Sequence, residues 1–246
     1  MRNTPKDCIQ SVLGKIIDFV PERKKGTAHT EHPDMIYECD YGYAKGYIGG
    51  DGEPQDVYAL NNVSYKLEII AVIERLDDNE TKWVGVEPGT VMYEPYIKEQ
   101  TQFCEKYFKS VYHCLYEKTC GSVVFTRENG VKKYLLIKND SGHIGFPKGH
   151  IEYGENESQT AEREVFEETG ITIKINPETR QEYTYTTLNK TIKNCVYFCN
   201  EFKTDNIKIQ QEEISQSWLV PFDEAKLLLN FPQDRAVLEK ADRMYD

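Results

Sequence analysis

The stretch GHIEYGENESQTAEREVFEETGI, residues 149–171, constrains this chain more than any other. It carries seven glutamates, yet its start and stop signals are those of a single helix. Asn156 is placed to cap the helix, with Gln159 as its capping-box partner three residues on, and Gly170 stands where a left-handed residue ends it. At about 100° per residue, Ala161, Val165 and Phe166 fall on the side that faces a core. Arg163, Glu164, Glu167 and Glu168 fall on the other. Glu164 and Glu168 are an i, i+4 pair and Glu167 is i+3 from Glu164, so three carboxylates converge, and Arg163 is spaced to hold Glu167. Like charges about 4 Å apart repel by roughly 4 kcal/mol at a surface-like dielectric. The segment is therefore either a solvated acidic face or an oxygen-rich cradle for a hard cation, Mg²⁺ or Mn²⁺, of the kind that bridges carboxylates to phosphates.

The whole chain narrows the classes of partner. Its 246 residues fit one large or two ordinary domains, and a hydrophobic fraction of 39% is enough for packed cores. A net charge of −11 disfavours nonspecific binding to nucleic acid, although a small anion could still bind if a cation accompanies it. No apolar run is long enough to span a membrane, and the opening MRNTPKDCIQ lacks the apolar stretch of a secretory signal. Seven cysteines form no CxxC pair and leave one over, so free thiols and a reducing, cytoplasmic setting are expected. Cys195 and Cys199, of equal parity in CVYFC, read as core residues of a strand rather than ligands.

The order of elements divides the chain near residues 113–120. Before it, YKLEIIAVIERL and KWVGVEP read as strands, and EPYIKEQTQFCEKYFKSVYHCLY has helical spacing, with Tyr96, Phe103, Tyr107 and Tyr112 as apolar contacts. After it, GSVVFTR and GVKKYLLIKND read as a hairpin around ENG. The glutamate helix follows, then strands in ITIKI, RQEYTYTTL, KNCVYFCNEF and SQSWLV, and a helix in FDEAKLLL. That is an α+β pattern, a mixed sheet carrying helices.

The spacing within the glutamate segment resembles a known signature. Gly149, five residues, Glu155, seven residues, then Arg163-Glu164-apolar-x-Glu167-Glu168-x-Gly170-apolar is similar to the signature of the Nudix hydrolases, and the resemblance spans about residue 117 to the end. It implies an α/β/α sandwich and a metal-dependent hydrolase of nucleoside diphosphates linked to another moiety. It assigns metal to Glu164, Glu167, Glu168 and the carbonyl of Gly149, and carboxylate orientation to Arg163. A cation there neutralises polyphosphate charge and acidifies the attacking water.

Further motifs narrow the resemblance to the asymmetrical dinucleoside tetraphosphatases, which split diadenosine tetraphosphate into ATP and AMP. GFPKGHIEYGE is similar to the PKGH entry of that subfamily, EYTYTTLNKTIKNCVYFCNEF to its strand pair, and EEISQSWLVPFDEAKLLLNFPQDRAVLEKA to its ending. The match makes Glu212 an additional metal-binding or base-positioning glutamate. It sets Lys148 and Lys193 against phosphate oxygens and makes Tyr185 either a base-stacking platform or a sheet-packing residue. Glu164, Glu168 and Glu212 are all candidates for the base that takes the water proton; a carboxylate bound tightly to metal is a poor base, the sequence does not say which stays free, and Glu212 or Glu164 is the preferred reading. Tyr153 stands where the family usually has proline.

The first part raises a second resemblance. In IYECDYGYAKGYIGGDGEPQDVYAL, Asp51, Glu53 and Asp56 lie close in a glycine-containing loop, as a solvated acidic turn or a shared cation site. The pattern is similar to the DGDPxDV signature of the family I inorganic pyrophosphatases. That likeness maps Tyr37, Tyr41, Asp51, Glu53, Asp56, Glu80, Lys82 and Tyr107 onto its site and implies a small five-stranded β-barrel of the OB type with flanking helices. Phe108 stands where that family has lysine, and Arg75 at an acidic position unless the loop shifts to Asp77 or Asp78.

The expected organisation is thus a pyrophosphatase-like unit at 1–115 and a Nudix unit at 116–246. The expected activity is hydrolysis of a dinucleoside polyphosphate. One alternative is a nucleoside triphosphate pyrophosphohydrolase whose pyrophosphate the first unit destroys. Another is a first unit that only binds nucleotide or phosphate.

Overall fold

Long runs of β-branched and aromatic residues in the first part need two covered faces, and they find them in a closed barrel. The computed structural model describes residues 6–61, 64–140, 142–203 and 214–245. The chain divides into two compact units, Met1–Glu117 with Thr186–Ile192, and Lys118–Tyr185 with Lys193–Asp246. No helix among the described residues is long and apolar enough to cross a membrane.

The first unit contains α1 (Lys6–Val12), β1 (Ile16–Arg23), β2 (Asp40–Ile48), β3 (Pro54–Ala59), β4 (Lys66–Arg75), β5 (Thr81–Val86), α2 (Glu94–Glu105) and β6 (Ser110–Cys114). The strands run in the order β1-β2-β3-β5-β4, and β4 pairs back onto β1, so five strands close on themselves. Only β3 and β5 run parallel among these pairings. Closure removes the unpaired edges that would otherwise template aggregation. β4 serves two cores. Leu67, Ile69 and Val72 pack with Phe19, Val57 and Trp83, whereas Ile70 and Ile73 pack with Tyr58, Ile97 and Phe103.

One sequence expectation fails here. The helical spacing that runs on to Tyr112 stops at Glu105, because SVYHC pairs with Ala71–Arg75 as β6. Tyr112 still meets the helix, its hydroxyl 3.1 Å from that of Thr101, but Tyr107 is exposed.

The second unit is built on β7 (Tyr116–Glu128), β8 (Val131–Asn139), β9 (Ile144–Gly145), β10 (Lys148–His150), α3 (Glu157–Thr169), β11 (Gln181–Thr186), β12 (Ile192–Glu201), β13 (Ile214–Pro221), α4 (Phe222–Leu228) and α5 (Pro232–Met244). Asn129 and Gly130, both at positive φ (51° and 80°), close the β7–β8 hairpin, the conformation that an Asn-Gly pair favours. The sheet order is β11-β12-β7-β8-β13, with β10 on β7 and β9 on β8. β12 is covered on both faces. Cys195, Tyr197 and Cys199 pack with Ala225, Leu238 and Ala241 of α4 and α5, and Val196 and Phe198 with Ala161 and Val165 of α3. This is an α/β layer structure with the glutamate helix on one side of the sheet.

Two expectations are corrected in this unit. Residues 171–175, ITIKI, form no strand ladder. Ile171, Ile173 and Ile175 are buried in alternation, but the Ile175 N–H donates to Glu162 Oε1 (2.9 Å) instead of to a neighbouring strand. Phe166, expected on the core face of α3, is 57% exposed, because it lies one residue beyond the stripe that Ala161 and Val165 bury.

Candidate active site

α3 meets β10 along its carboxylate face. Asn156 caps α3 with the reciprocal Gln159 bond, and Gly170 ends it at φ 69°, so the register of the glutamates is fixed at both ends. Gly149 on β10 lies directly under Glu164, and a methyl group on its Cα would overlap that carboxylate. Only glycine lets the acid lie on the strand. One residue earlier, the Lys148 N–H donates to Glu168 Oε2 (2.8 Å), and Glu168 is almost wholly buried. Glu164 and Glu168 thus rest side by side on the β10 backbone.

Arg163 gathers the rest. Its Nε and Nη2 donate to the two oxygens of Glu155 (2.7 and 3.0 Å), and its Nη1 donates to Glu164 Oε1 (2.7 Å) and Glu167 Oε2 (3.0 Å). Nη2 also donates to the His150 carbonyl (2.9 Å), which ties the loop after β10 to the helix. The Arg163 hydrogen bonds bring the Glu155 carboxyl down to about 2. Burial instead raises the Glu164 carboxyl above its ordinary value, although Arg163 opposes the shift.

The remaining glutamates of the segment are separate from this face. Glu157 pairs with Arg180 and Lys118, Glu162 with Lys174 and the Ile175 N–H, and Glu152 is exposed. The crowding therefore resolves into one convergent set and three independent positions.

The donor set suits a hard divalent cation. Its atoms are carboxylate oxygens, with the backbone of Gly149 beneath Glu164 in a cradle that any side chain would fill. Among the described residues no three His, Cys, Asp or Glu side chains are already closed as a metal cage. The guanidinium of Arg163 holds Glu164 and Glu167 together and is the positive group among them.

The other residues expected here lie around the same sheet. Lys148 is on β10 and Lys193 on β12, both half-buried. Tyr185 is at the exposed end of β11, its ring 6.1 Å from that of Tyr183, which stacks in turn on the buried Tyr197. Glu212 lies outside the described residues.

Two features escaped sequence reasoning. Glu155 is a fixed place in the signature, but its role as the anchor of Arg163 needs the fold to bring together residues eight apart across a turn. Asp234, fully buried in the first turn of α5, accepts from Tyr183 (2.8 Å), Tyr197 (3.4 Å) and the His143 ring (3.2 Å). An acid at a helix start reads as a surface residue, so nothing in the sequence marked it.

In the first unit the expected residues separate into groups. Lys82 bridges Asp56 and Glu80 and lies 3.3 Å from the Tyr41 hydroxyl. Asp51 and Glu53 do not join them. Both are exposed, with Asp51 Oδ1 accepting the Glu53 N–H within the turn. Tyr37 is buried beside Tyr41, with ring centroids 5.5 Å apart, and Tyr107 is exposed. The barrel is present, but the three loop carboxylates do not form one cluster.

The carboxylate helix held on a glycine strand falls within the span of a family model: the NUDIX domain matches residues 110–241, so the chain belongs to that family. It is a Nudix phosphoanhydride hydrolase. Among particular relatives, asymmetrical bis(5'-nucleosyl)-tetraphosphatase of Mus musculus is 34% identical over 136 residues, covering 50% of this chain and 91% of that protein. The Rattus norvegicus enzyme of the same name is 33% identical over 136 residues, with the same coverage. The crystal structure of a C. elegans Ap4A hydrolase binary complex aligns over 52% of this chain and 97% of that one, at 23% identity and a TM-score of 0.49.

Proposed function

We propose that the second unit hydrolyses a dinucleoside polyphosphate, cleaving diadenosine tetraphosphate to ATP and AMP by attack of water on phosphorus. The observation that carries this reading is the 34% identity to the mouse tetraphosphatase over 91% of that enzyme's length. Glu164, Glu167, Glu168 and the Gly149 carbonyl would hold Mg²⁺ or Mn²⁺, with Glu212 as a further ligand or base-positioning group. When bound, the cation supplies neutralisation of the polyphosphate and acidification of the attacking water.

The chain's own groups do the rest. Arg163 keeps Glu164 and Glu167 on one patch through a single nitrogen, so neither carboxylate must be ordered when substrate arrives. The water proton goes to whichever of Glu164 and Glu212 keeps an oxygen off the cation, because a carboxylate fully engaged by metal is a poor base. Lys148 and Lys193 bind the phosphate oxygens as fixed positive charges. Tyr185 stacks on one base, its ring backed by Tyr183 and, through that, by the buried Asp234.

Product analysis tests the reading. The purified protein with Mg²⁺ is incubated with diadenosine tetraphosphate and, separately, with ATP, and products are resolved by chromatography. ATP and AMP in equal amounts from the dinucleotide are expected. Pyrophosphate release from ATP, with the dinucleotide untouched, would overturn the assignment.

A further inference from the structure

The first unit carries a cavity of about 680 Å³ that the reaction above does not use. Tyr37, Tyr41, Tyr107 and Phe108 line it, with His29 and His32 at one side, and so do two cations, Arg75 and Lys82. The pyrophosphatase resemblance would make it a metal and phosphate site. The geometry does not fit that role.

Both cations are already paired with carboxylates of the protein. Arg75 Nε and Nη2 donate to the two oxygens of Glu105 (3.2 and 2.6 Å), and Nη2 also to Cys104 Sγ (3.5 Å). Its Nη1 faces Glu80 (3.3 Å) and Asp78 (3.5 Å). The Lys82 ammonium has Asp56, Glu80 and Tyr41 for its three protons. Asp56, Glu80 and Glu105 therefore stand around two cations with a surplus of negative charge, which an incoming phosphate would have to displace or face. The same pairing takes Asp56 and Glu80 out of any metal centre, while Asp51 and Glu53 stay in their exposed turn. The two places where the sequence departs from the pyrophosphatase pattern meet here. The Arg75 guanidinium lies 3.6 Å from the centroid of the Phe108 ring, which covers it.

What the cavity offers a ligand is aromatic surface, hydrogen-bonding side chains and, at its rim, the carboxylates of Glu31 and Asp34, which accept N–H groups and repel an anion. The His29 ring stacks on His32 (5.2 Å) and on Tyr37 (6.1 Å), and Tyr37 continues to Tyr41 (5.5 Å). His29 Nδ1 accepts the N–H groups of Glu31 and His32, which leaves the proton on Nε2 as a donor. Burial raises the phenols of Tyr37 and Tyr41 above their ordinary value, so both stay neutral; the Tyr41 proton goes to Asp56, which leaves the Tyr37 hydroxyl as the donor. The volume lies within the ~300–1,000 Å³ range of small-molecule sites.

We propose that this cavity is a metal-independent binding site for a flat, uncharged nitrogen heterocycle of the nucleobase class, and not a pyrophosphate centre. The site stands independently of the reaction assigned to the second unit.

Titration calorimetry of the full chain in EDTA, with adenosine and guanosine as probes, tests it. Nucleoside binding is expected without metal, and it is expected to survive Tyr185→Ala, which removes the ring assigned to base stacking in the second unit. His32→Ala combined with Tyr107→Ala removes two exposed rings from the cavity and should weaken binding roughly tenfold or more. That double variant should hydrolyse diadenosine tetraphosphate at the wild-type rate. Failure of both nucleosides to bind in EDTA would overturn the proposal. So would binding that is lost in Tyr185→Ala but kept in the double variant, or turnover of magnesium pyrophosphate that survives Glu164→Gln.

Discussion

Glu155 accepts two hydrogen bonds from Arg163, through Nε at 2.7 Å and Nη2 at 3.0 Å, and this fork fixes the arginine whose remaining nitrogen aligns Glu164 and Glu167. Arg163 therefore acts through its planarity as much as its charge. A lysine cannot reach Glu155, Glu164, Glu167 and the His150 carbonyl at once. Arg163→Lys is expected to lower kcat/KM roughly 100-fold through misplaced carboxylates, with the fall mainly in kcat. Steady-state kinetics checks this, and a variant within about twofold of wild type would show that the fork is dispensable.

Gly149 is required for the same geometry. Gly149→Ala puts a methyl group where the Glu164 carboxylate lies, and the Glu168 bond to the neighbouring Lys148 N–H limits how far α3 can retreat. The expected cost is about 1–3 kcal/mol in stability, as for other overpacked sites, with loss of most hydrolytic activity. Denaturant melts and rate measurements on the folded variant separate the two effects.

Acid should loosen the second unit in a defined window. Arg163 holds Glu155, and Arg180 with Lys118 holds Glu157, at about 2, below the ordinary 4.5. A carboxylate more acidic in the folded chain contributes stability that is whole above its unfolded value. That contribution is lost as pH falls from about 4.5 towards about 2. Tm measured down this range should drop steadily. Glu157→Gln should start lower at neutral pH and lose less on acidification. Parallel curves for the two proteins would contradict the pairing.

In the first unit, the buried Arg75–Glu105 pair is a structural tie. Tyr58 and Ser110 also donate to Glu105, each at 2.7 Å, so the carboxylate is fully used. Glu105→Gln leaves the Arg75 charge buried with weaker partners and is expected to cost about 3–5 kcal/mol. Adding Arg75→Met should recover much of that loss, because a well-packed apolar pair can replace a buried ionic one. Chemical denaturation of the single and double variants reads this out.

Local signals in the sequence were sufficient for the glutamate helix. Asn156, Gln159 and Gly170 set its ends, and the i, i+3 and i, i+4 spacing placed Glu164, Glu167 and Glu168 on one face. The Asn129-Gly130 hairpin was legible for the same reason, since a two-residue turn depends only on its own φ angles. Pairing across long separations was not legible. SVYHC looks helical in isolation and becomes a strand only because β4 offers it a ladder. ITIKI alternates like a strand yet finds no ladder, its last N–H being taken by Glu162. In the first unit, Asp51, Glu53 and Asp56 are neighbours in sequence, but of the three only Asp56 pairs with Lys82, 26 residues later, which also holds Glu80. Charge pairing of that kind lies beyond any local pattern.

A divalent cation held at the carboxylate face of α3 is central to the proposed hydrolysis. Titration of Mn²⁺, followed by electron paramagnetic resonance in the presence of a nonhydrolysable dinucleotide analogue, tests it directly on the wild type, Glu164→Gln and Glu168→Gln. Saturable Mn²⁺ binding is expected in the wild type, weakened by at least roughly tenfold in each variant. Undiminished binding in both variants, or none in the wild type, would contradict it.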